Sequence, residues 1–326
     1  MNILLTIGIL VLTGCVSARF GEGILKTTFL GRDYTTTAKG IAILLIMLGH
    51  CSGHWPGGRW LTPCGGIGVA MFLITSGYGL NESYKNSGLK DFWKKRLGRM
   101  YLPYVIVVII YAIVQQWDIE KIALNLSCYH SPYWFVTYIV ECYIIFWVVS
   151  RLLPRYRIPV FGLVSIVSLF VMPELQAEQA LSFVCGVLLS DRKEKVFALL
   201  DEKRAYVIVC FVLLAIGIFF LGIKQLPWVR ENFNAWQMNV IQLLVKFPIG
   251  LFLLFVIKRF KQVITNPFVH LGGVISYELY LVHFPFYVMI GTRLWPAWVL
   301  IAMSFAVGYG FYQVNNRMHQ NIISIK

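Results

Sequence analysis

Long apolar runs return along the whole chain, and they constrain its fold more than any other feature. We count eleven such segments in 326 residues, separated by short polar loops. Charged residues make up 13% of the chain, whereas a soluble domain carries about 25%, so there is too little charge to coat a water-soluble globule. The runs are near-continuous rather than alternating, which disfavours a transmembrane barrel. The sequence therefore predicts an all-α integral membrane protein.

The first apolar segment, residues 3–18, is interpreted as an extra transmembrane helix ahead of a ten-helix core. A signal peptide carries positive charge before its apolar stretch, and here the positive residues follow it. We therefore expect an N-terminal helix with a cytoplasmic linker over 1–34, a transmembrane domain over 35–320 and a short cytoplasmic tail over 321–326. The predicted core segments are 39–54, 65–82, 101–117, 133–153, 158–172, 178–190, 205–222, 236–257, 268–292 and 297–315.

Lysine and arginine alternate between rich and poor loops at every step along these segments. The poor side holds a few cations only: Arg59, Lys121, Lys224, Arg230 and Arg293. The rich side is expected to be cytoplasmic, which places the N-terminus outside and the C-terminus inside. This arrangement also explains the net charge of +14. Because the cations are scattered through short loops rather than gathered on one face, we expect no nucleic-acid partner.

The stretch from Lys39 to His50 is an apolar helix with a cation at one end and an imidazole at the other. At 1.5 Å of rise per residue the two lie about 16 Å apart, near half the thickness of a bilayer core. An ionisable group at that depth faces the bundle interior or a wet cavity, and it is a candidate functional residue. His54 follows at a spacing that suits metal ligands. However, Gly53 and Pro56 indicate that the helix ends there, so no metal site is predicted.

Three further ionisable residues lie inside apolar segments. His283 follows Glu278 by five residues, and Glu141 lies in another segment. A neutral imidazole is what a general base requires. A carboxyl group at this depth must be protonated, paired or hydrated. Either one is expected to orient an imidazole, to hold a sugar hydroxyl or to tie two helices together.

A cationic run over residues 94–99 stands directly before another apolar segment. Arg96 and Arg99 are three residues apart and share one face of a helix, where their guanidinium groups suit phosphate oxygens. The alternative is ordinary cytoplasmic charge or lipid headgroup contact. In the glycine-rich segment 65–80, small residues permit close helix packing, and a break at Ser76–Gly77 would line a cavity.

Five stretches, in this order, resemble the acyltransferase 3 family of bacterial integral membrane enzymes, which acylate cell-surface glycans and some small molecules. They span most of residues 35–285. The resemblance implies a ten-helix core in the bacterial cytoplasmic membrane. The matching stretches are KGIAILLIMLGH, GIGVAMFLITSGYGL, FWKKRLGRMYLPY, YWFVTYIVECYIIF and ISYELYLVHFP.

The resemblance also implies residue roles. His50 matches the essential catalytic histidine, expected here as a general base or as a brief acyl carrier. The donor side is expected to involve the R-x-x-R arginines and residues of the two conserved helices. These donor-side residues are Lys39, Ser76, Tyr78, Arg96 and Arg99. Thr36 stands where the family often has an aspartate, and Glu141 or His283 is expected to complete a proton relay.

The expected activity is transfer of an acyl group, in the first place acetyl, from acyl-CoA to a hydroxyl of a glycan or lipid-linked sugar. No tightly bound cofactor is expected, and the expected partners are acyl-CoA, the sugar acceptor and membrane lipids. The alternative is a proton-coupled transporter or flippase of glycan or lipid-linked intermediates, which would use the buried histidine and glutamate side chains as proton carriers. A glycan polymerase is disfavoured because no large extracytoplasmic loop occurs in the sequence.

Overall fold

The computed structural model describes residues 2–18, 28–52, 58–127, 133–260, 266–285 and 295–324. Within these ranges the chain is helical and contains no strand. Eight helical stretches there are long and apolar enough to cross a bilayer. The predicted class, an all-α membrane protein, is confirmed. The count of one plus ten spans stays a prediction.

The helices are numbered α1 to α17 in chain order. Their bounds are α1 Asn2–Ala18, α2 Arg32–Ser52, α3 Thr62–Ser87, α4 Phe92–Arg96, α5 Leu102–Val114, α6 Ile119–Leu126, α7 Trp134–Leu152, α8 Arg157–Val171, α9 Glu174–Ala177, α10 Ser182–Asp191, α11 Lys193–Asp201, α12 Lys203–Gln225, α13 Pro227–Asn232, α14 Ala235–Ile257, α15 Pro267–Val274, α16 Ser276–Pro285 and α17 Ala297–Ser324. Short 3₁₀ turns cover Gly58–Leu61 and Pro154–Tyr156, and a π turn covers Leu97–Tyr101.

Two predicted core segments are shorter or more divided than the others. The segment predicted over 178–190 contains α10, whose 10 residues extend only about 15 Å, roughly half of a bilayer core. The segment predicted over 268–292 is divided into α15 and α16 by a turn at Ile275, and its last residues lie outside the described ranges. Helix α1, with 17 residues, is also near the lower limit for a span.

The glycine-rich helix α3 packs closely against its neighbours, as the small residues predict. A Cβ added at Gly68 would collide with the carbonyl oxygen of Ala42, and one added at Gly77 would collide with that of Phe183. These contacts join α3 to α2 on one side and to α10 on the other. However, α3 is continuous across Ser76 and Gly77. The predicted break is wrong, because Gly77 serves backbone approach between helices rather than a turn.

We name the two ends of the bundle by their loops: the inner end carries the loops richest in lysine and arginine, and the outer end is opposite. Helices α2 and α16 run from the inner end to the outer end, whereas α3, α7 and α14 run the other way. Gly49 near the end of α2 accordingly packs on Gly65 near the start of α3. The Tyr277 hydroxyl at the start of α16 donates to the Met100 carbonyl oxygen in the π turn at 2.6 Å.

Candidate active site

A cavity of about 240 Å³ lies toward the inner end, between α2, α3, α7, α16 and the π turn. Cationic side chains gather at its inner part, and aromatic side chains close its outer part. Its lining residues are Lys39, Phe72, Ser76, Lys95, Arg96, Arg99, Met100, Phe135, Ile139, Tyr143, Ser276, Tyr277 and Tyr280.

The cavity holds cations without matching anions. None of its described lining residues is acidic, and none of its four cations forms an ion pair with a carboxylate in the described part of the chain. The Arg96 guanidinium lies 5.6 Å from the ring centroids of both Phe92 and Tyr143. Its Nε is buried without a hydrogen-bond partner. Because a buried polar group without a partner is costly, the Arg96 Nε and the three cations near it favour an anionic ligand.

A π turn directly follows Arg96 and carries Arg99. In this turn the backbone N–H of Leu102 donates to the carbonyl oxygen of Leu97, five residues earlier. Such turns insert one extra residue into a helix and occur frequently at functional sites. Both arginines line the cavity; that they share one face of a helix stays a prediction.

The two predicted histidines meet near the outer ends of α2 and α16, although 233 residues separate them. His50 Nδ1 lies 2.8 Å from His283 Nε2, and the two ring planes are within 10° of parallel. His283 is fully buried, and its Nδ1 lies 2.9 Å from the Leu279 carbonyl oxygen. The structure therefore joins the two imidazoles into one pair.

The hydrogen-bond partners assign the tautomers of this pair. The Leu279 carbonyl oxygen accepts only, so Nδ1 of His283 carries the proton and Nε2 of the neutral ring is an acceptor. It follows that His50 donates its Nδ1–H to His283. Nε2 of His50 then keeps a lone pair, which is the form that a general base needs.

The other predicted site residues fall into two groups. Ser76 lines the cationic cavity, whereas Tyr78 is buried in the apolar core and is not among the described lining residues. Glu141 lines a separate cavity of about 40 Å³ between α7, α8 and α10, and its Oε2 has no hydrogen-bond partner in the described part of the chain. The structure thus brings His283 to His50 and places Glu141 elsewhere.

Glu278 ties two helices together, which is one of the roles its position predicted. Its Oε1 accepts a hydrogen bond from the Asn315 side chain at 3.2 Å, and this bond joins α16 to α17. His54 lies outside the described residues, so the expectation of no metal there stays a prediction.

Sequence reasoning missed a buried cation outside the cavity. Lys246, near the centre of α14, pairs with Glu178 just after α9. Both residues are buried. A lysine in the middle of an apolar helix is the signal that could have indicated it.

These features define a multi-span helical membrane protein whose bundle holds an unpaired cationic cavity at one depth and an imidazole pair at another. The sequence model of the acyltransferase domain family, acyltransferase 3, matches residues 33–312, and the chain belongs to this family. The resemblance expected from the five stretches is confirmed, and with it membrane acyltransferase activity as the general class. No curated protein and no solved structure matches the chain.

Proposed function

We propose that the protein is an acyl-CoA-dependent O-acyltransferase, which moves an acyl group, in the first place acetyl, to a sugar hydroxyl. The observation that carries the proposal is the cavity lined by four cations and by no described carboxylate. Coenzyme A carries several phosphate groups, and a phosphate neutralises such a cavity. No tightly held cofactor is needed, because the donor brings the activated group.

The cavity supports donor binding through two kinds of cation. The guanidinium groups of Arg96 and Arg99 suit bidentate bonds to phosphate oxygens, while the Lys39 ammonium acts as a point charge. Ser76 and Tyr277 add hydroxyl groups to the wall. With the inner end facing the cytoplasm, the donor enters from the side where acyl-CoA is made.

The imidazole pair supports a general-base mechanism. Nε2 of His50 takes the proton of the acceptor hydroxyl as its oxygen attacks the thioester carbonyl carbon. The carbon–sulfur bond then breaks, and the proton on His50 passes to the leaving thiolate. During this step His283 Nε2 accepts the Nδ1–H of the His50 imidazolium and holds the ring in place. We favour this role over an acyl carrier because a thioester is already activated.

The acceptor is proposed to be a hydroxyl of a cell-surface glycan or lipid-linked sugar, as the family resemblance implies. The protein is proposed to lie in the bacterial cytoplasmic membrane with its N-terminus outside. The alternation of loop charge supports this orientation.

The experiment is transfer of labelled acetyl groups from acetyl-CoA to glycan extracts by the purified protein. His50→Ala is expected to lower transfer at least ~1,000-fold, which corresponds to about 4.1 kcal/mol. His270→Ala is the matched control, since His270 lies on α15 and does not line the cavity. Normal turnover in His50→Ala would refute the assigned role. Purified protein that never transfers label, yet moves a lipid-linked sugar across vesicles, would favour the transporter alternative.

A further inference from the structure

Two helices change from a serine to an aromatic side chain in the same direction within the cavity, and a third changes from a tyrosine to a phenylalanine. Toward the outer end, Ser76 on α3 is followed one turn later by Phe72, and Ser276 on α16 by Tyr280. On α7, Tyr143 is followed two turns later by Phe135. All these residues line the cavity. The cavity is therefore cationic and polar at its inner part and aromatic at its outer part.

The three outer residues, Phe72, Phe135 and Tyr280, form what we name the aromatic partition. The ring centroids of Phe72 and Phe135 are 6.0 Å apart, and those of Phe135 and Tyr280 are 5.3 Å apart. On its other side, the Tyr280 ring lies 5.8 Å from the His283 ring. The partition thus lies between the cationic cavity and the imidazole pair.

Helix α2 offers no open path around this partition. Lys39 and His50 lie on nearly the same face of α2, because 11 residues make about three turns. Ile43 and Ile46 lie between them along that face, with 0% and 1% of their surfaces exposed. A thioester anchored at the cations must therefore bring its carbonyl carbon past the aromatic partition to reach His50.

We propose that the aromatic partition sets the length of the acyl group, and that the enzyme accepts short acyl groups and rejects long ones. This inference rests on the proposed function. A short acyl group needs little room beyond the carbonyl carbon, whereas a long chain must pass between the rings of the partition or fold back into the volume that they fill. Displacing side chains from a close-packed protein interior costs free energy. Removing a ring opens space in which each further methylene gains roughly fourfold in binding.

The test compares acetyl, butyryl and octanoyl donors in Phe135→Ala and in the wild-type protein. Wild type is expected to prefer acetyl-CoA over octanoyl-CoA by at least ~100-fold, and Phe135→Ala is expected to reduce that preference at least ~10-fold. Phe161→Ala is the matched control, because Phe161 is a buried phenylalanine outside this cavity. Its donor preference is expected to equal that of wild type.

A second measurement separates this inference from the proposed function. The thioethers S-ethyl-, S-butyl- and S-octyl-coenzyme A cannot transfer their alkyl groups. Their competition with labelled coenzyme A for binding therefore measures chain-length selectivity without turnover. An unchanged selectivity in Phe135→Ala, or a wild type that takes octanoyl as readily as acetyl, would overturn the role of the partition alone. A wild type that binds no coenzyme A would overturn both proposals. If Phe135→Ala does not fold, Phe135→Leu and Phe72→Leu are expected to shift selectivity in the same direction by smaller factors.

Discussion

Two regions of the bundle gather cationic side chains, and the partners of these side chains differ between the regions. In the outer half, Lys246 pairs with Glu178. Beside them, Lys224 donates to the Gln242 side chain at 2.7 Å, which donates to Glu174 at 2.9 Å. In the cavity near the inner end, no described carboxylate faces the four cations. Both regions contain lysine side chains. Those of the outer half have carboxylate or amide partners, whereas no described carboxylate pairs with those of the inner cavity.

The difference separates a structural role from a ligand-binding role. The pair Lys246–Glu178 joins α14 to the short segment between α9 and α10, and neutralises charge with groups of the chain itself. The cations of the inner cavity lack that partner and keep their hydrogen-bonding capacity for a ligand. Burial of charge is thus no sign of function by itself; charge without a partner in the fold is the informative observation.

The largest effect is expected when one partner of the Lys246–Glu178 ion pair is removed. Lys246→Met leaves Glu178 buried and unpaired, which typically costs about 3–5 kcal/mol. We expect a marked loss of thermal stability of the detergent-purified protein. The double variant Lys246→Met/Glu178→Gln removes both charges and is expected to recover most of that stability. A single variant as stable as wild type would show that the pair does not hold these helices together.

Removing the unpaired arginines of the inner cavity is expected to weaken donor binding more than it lowers protein stability. Arg96→Ala/Arg99→Ala removes the bidentate phosphate contacts, and the apparent KM for the donor is expected to rise ~100-fold, or about 2.7 kcal/mol. The free energy of unfolding should fall by about 1–2 kcal/mol at most, since the variant loses the contacts of Arg96 with the Phe92 and Tyr143 rings but no ion pair with a described residue. Lys90→Ala removes an exposed charge outside the cavity and serves as the control. A donor KM equal to that of wild type would count against the docking.

A smaller effect is expected at the positioning histidine. His283→Ala removes the acceptor of the His50 Nδ1–H, and kcat is expected to fall about 10- to 30-fold with donor KM unchanged. His283→Gln keeps a side-chain oxygen that can accept this bond and is expected to restore part of kcat. Equal losses in both variants, or a change in KM alone, would contradict the positioning role.

The smallest effect is expected at Glu141. Because this residue lines a separate cavity, Glu141→Gln should leave transfer within about twofold of wild type, as for a substitution away from the site. Steady-state kinetics with labelled acetyl-CoA measure it. A tenfold loss would restore the expectation that Glu141 takes part in a proton relay.

Local features of the sequence were predictable, and long-range partners were not. Helix positions followed from apolar runs, and the proximity of Arg96 and Arg99, which line one cavity, followed from their short spacing. The partner of His50 did not, because a residue 233 positions away meets it only through packing of α2 against α16. Glu141 looked equivalent to His283 in the sequence, since both lie in apolar segments. Only tertiary packing shows which of them turns toward His50.

The glycine-rich segment 65–80 also shows that a local pattern does not decide its tertiary contacts. Its composition predicted close packing, which is confirmed, but it also suggested a break at Ser76–Gly77, which is wrong. A glycine such as Gly77 is compatible with a helix break and with a close helix contact. The nearness of the Phe183 carbonyl oxygen to Gly77 shows that it makes a contact. Likewise, the sequence analysis missed Lys246, and only the structure shows that Glu178 is its partner.

The most direct measurement is the binding of labelled coenzyme A to three purified proteins: wild type, Arg96→Ala/Arg99→Ala and Lys246→Met/Glu178→Gln. The unpaired cations are predicted to bind the donor, so the dissociation constant should rise at least ~10-fold, about 1.4 kcal/mol, in the arginine variant only. The lysine–glutamate variant should bind as wild type does. Equal binding by all three proteins, or no binding by any, would contradict the assignment of the inner cavity as the donor site.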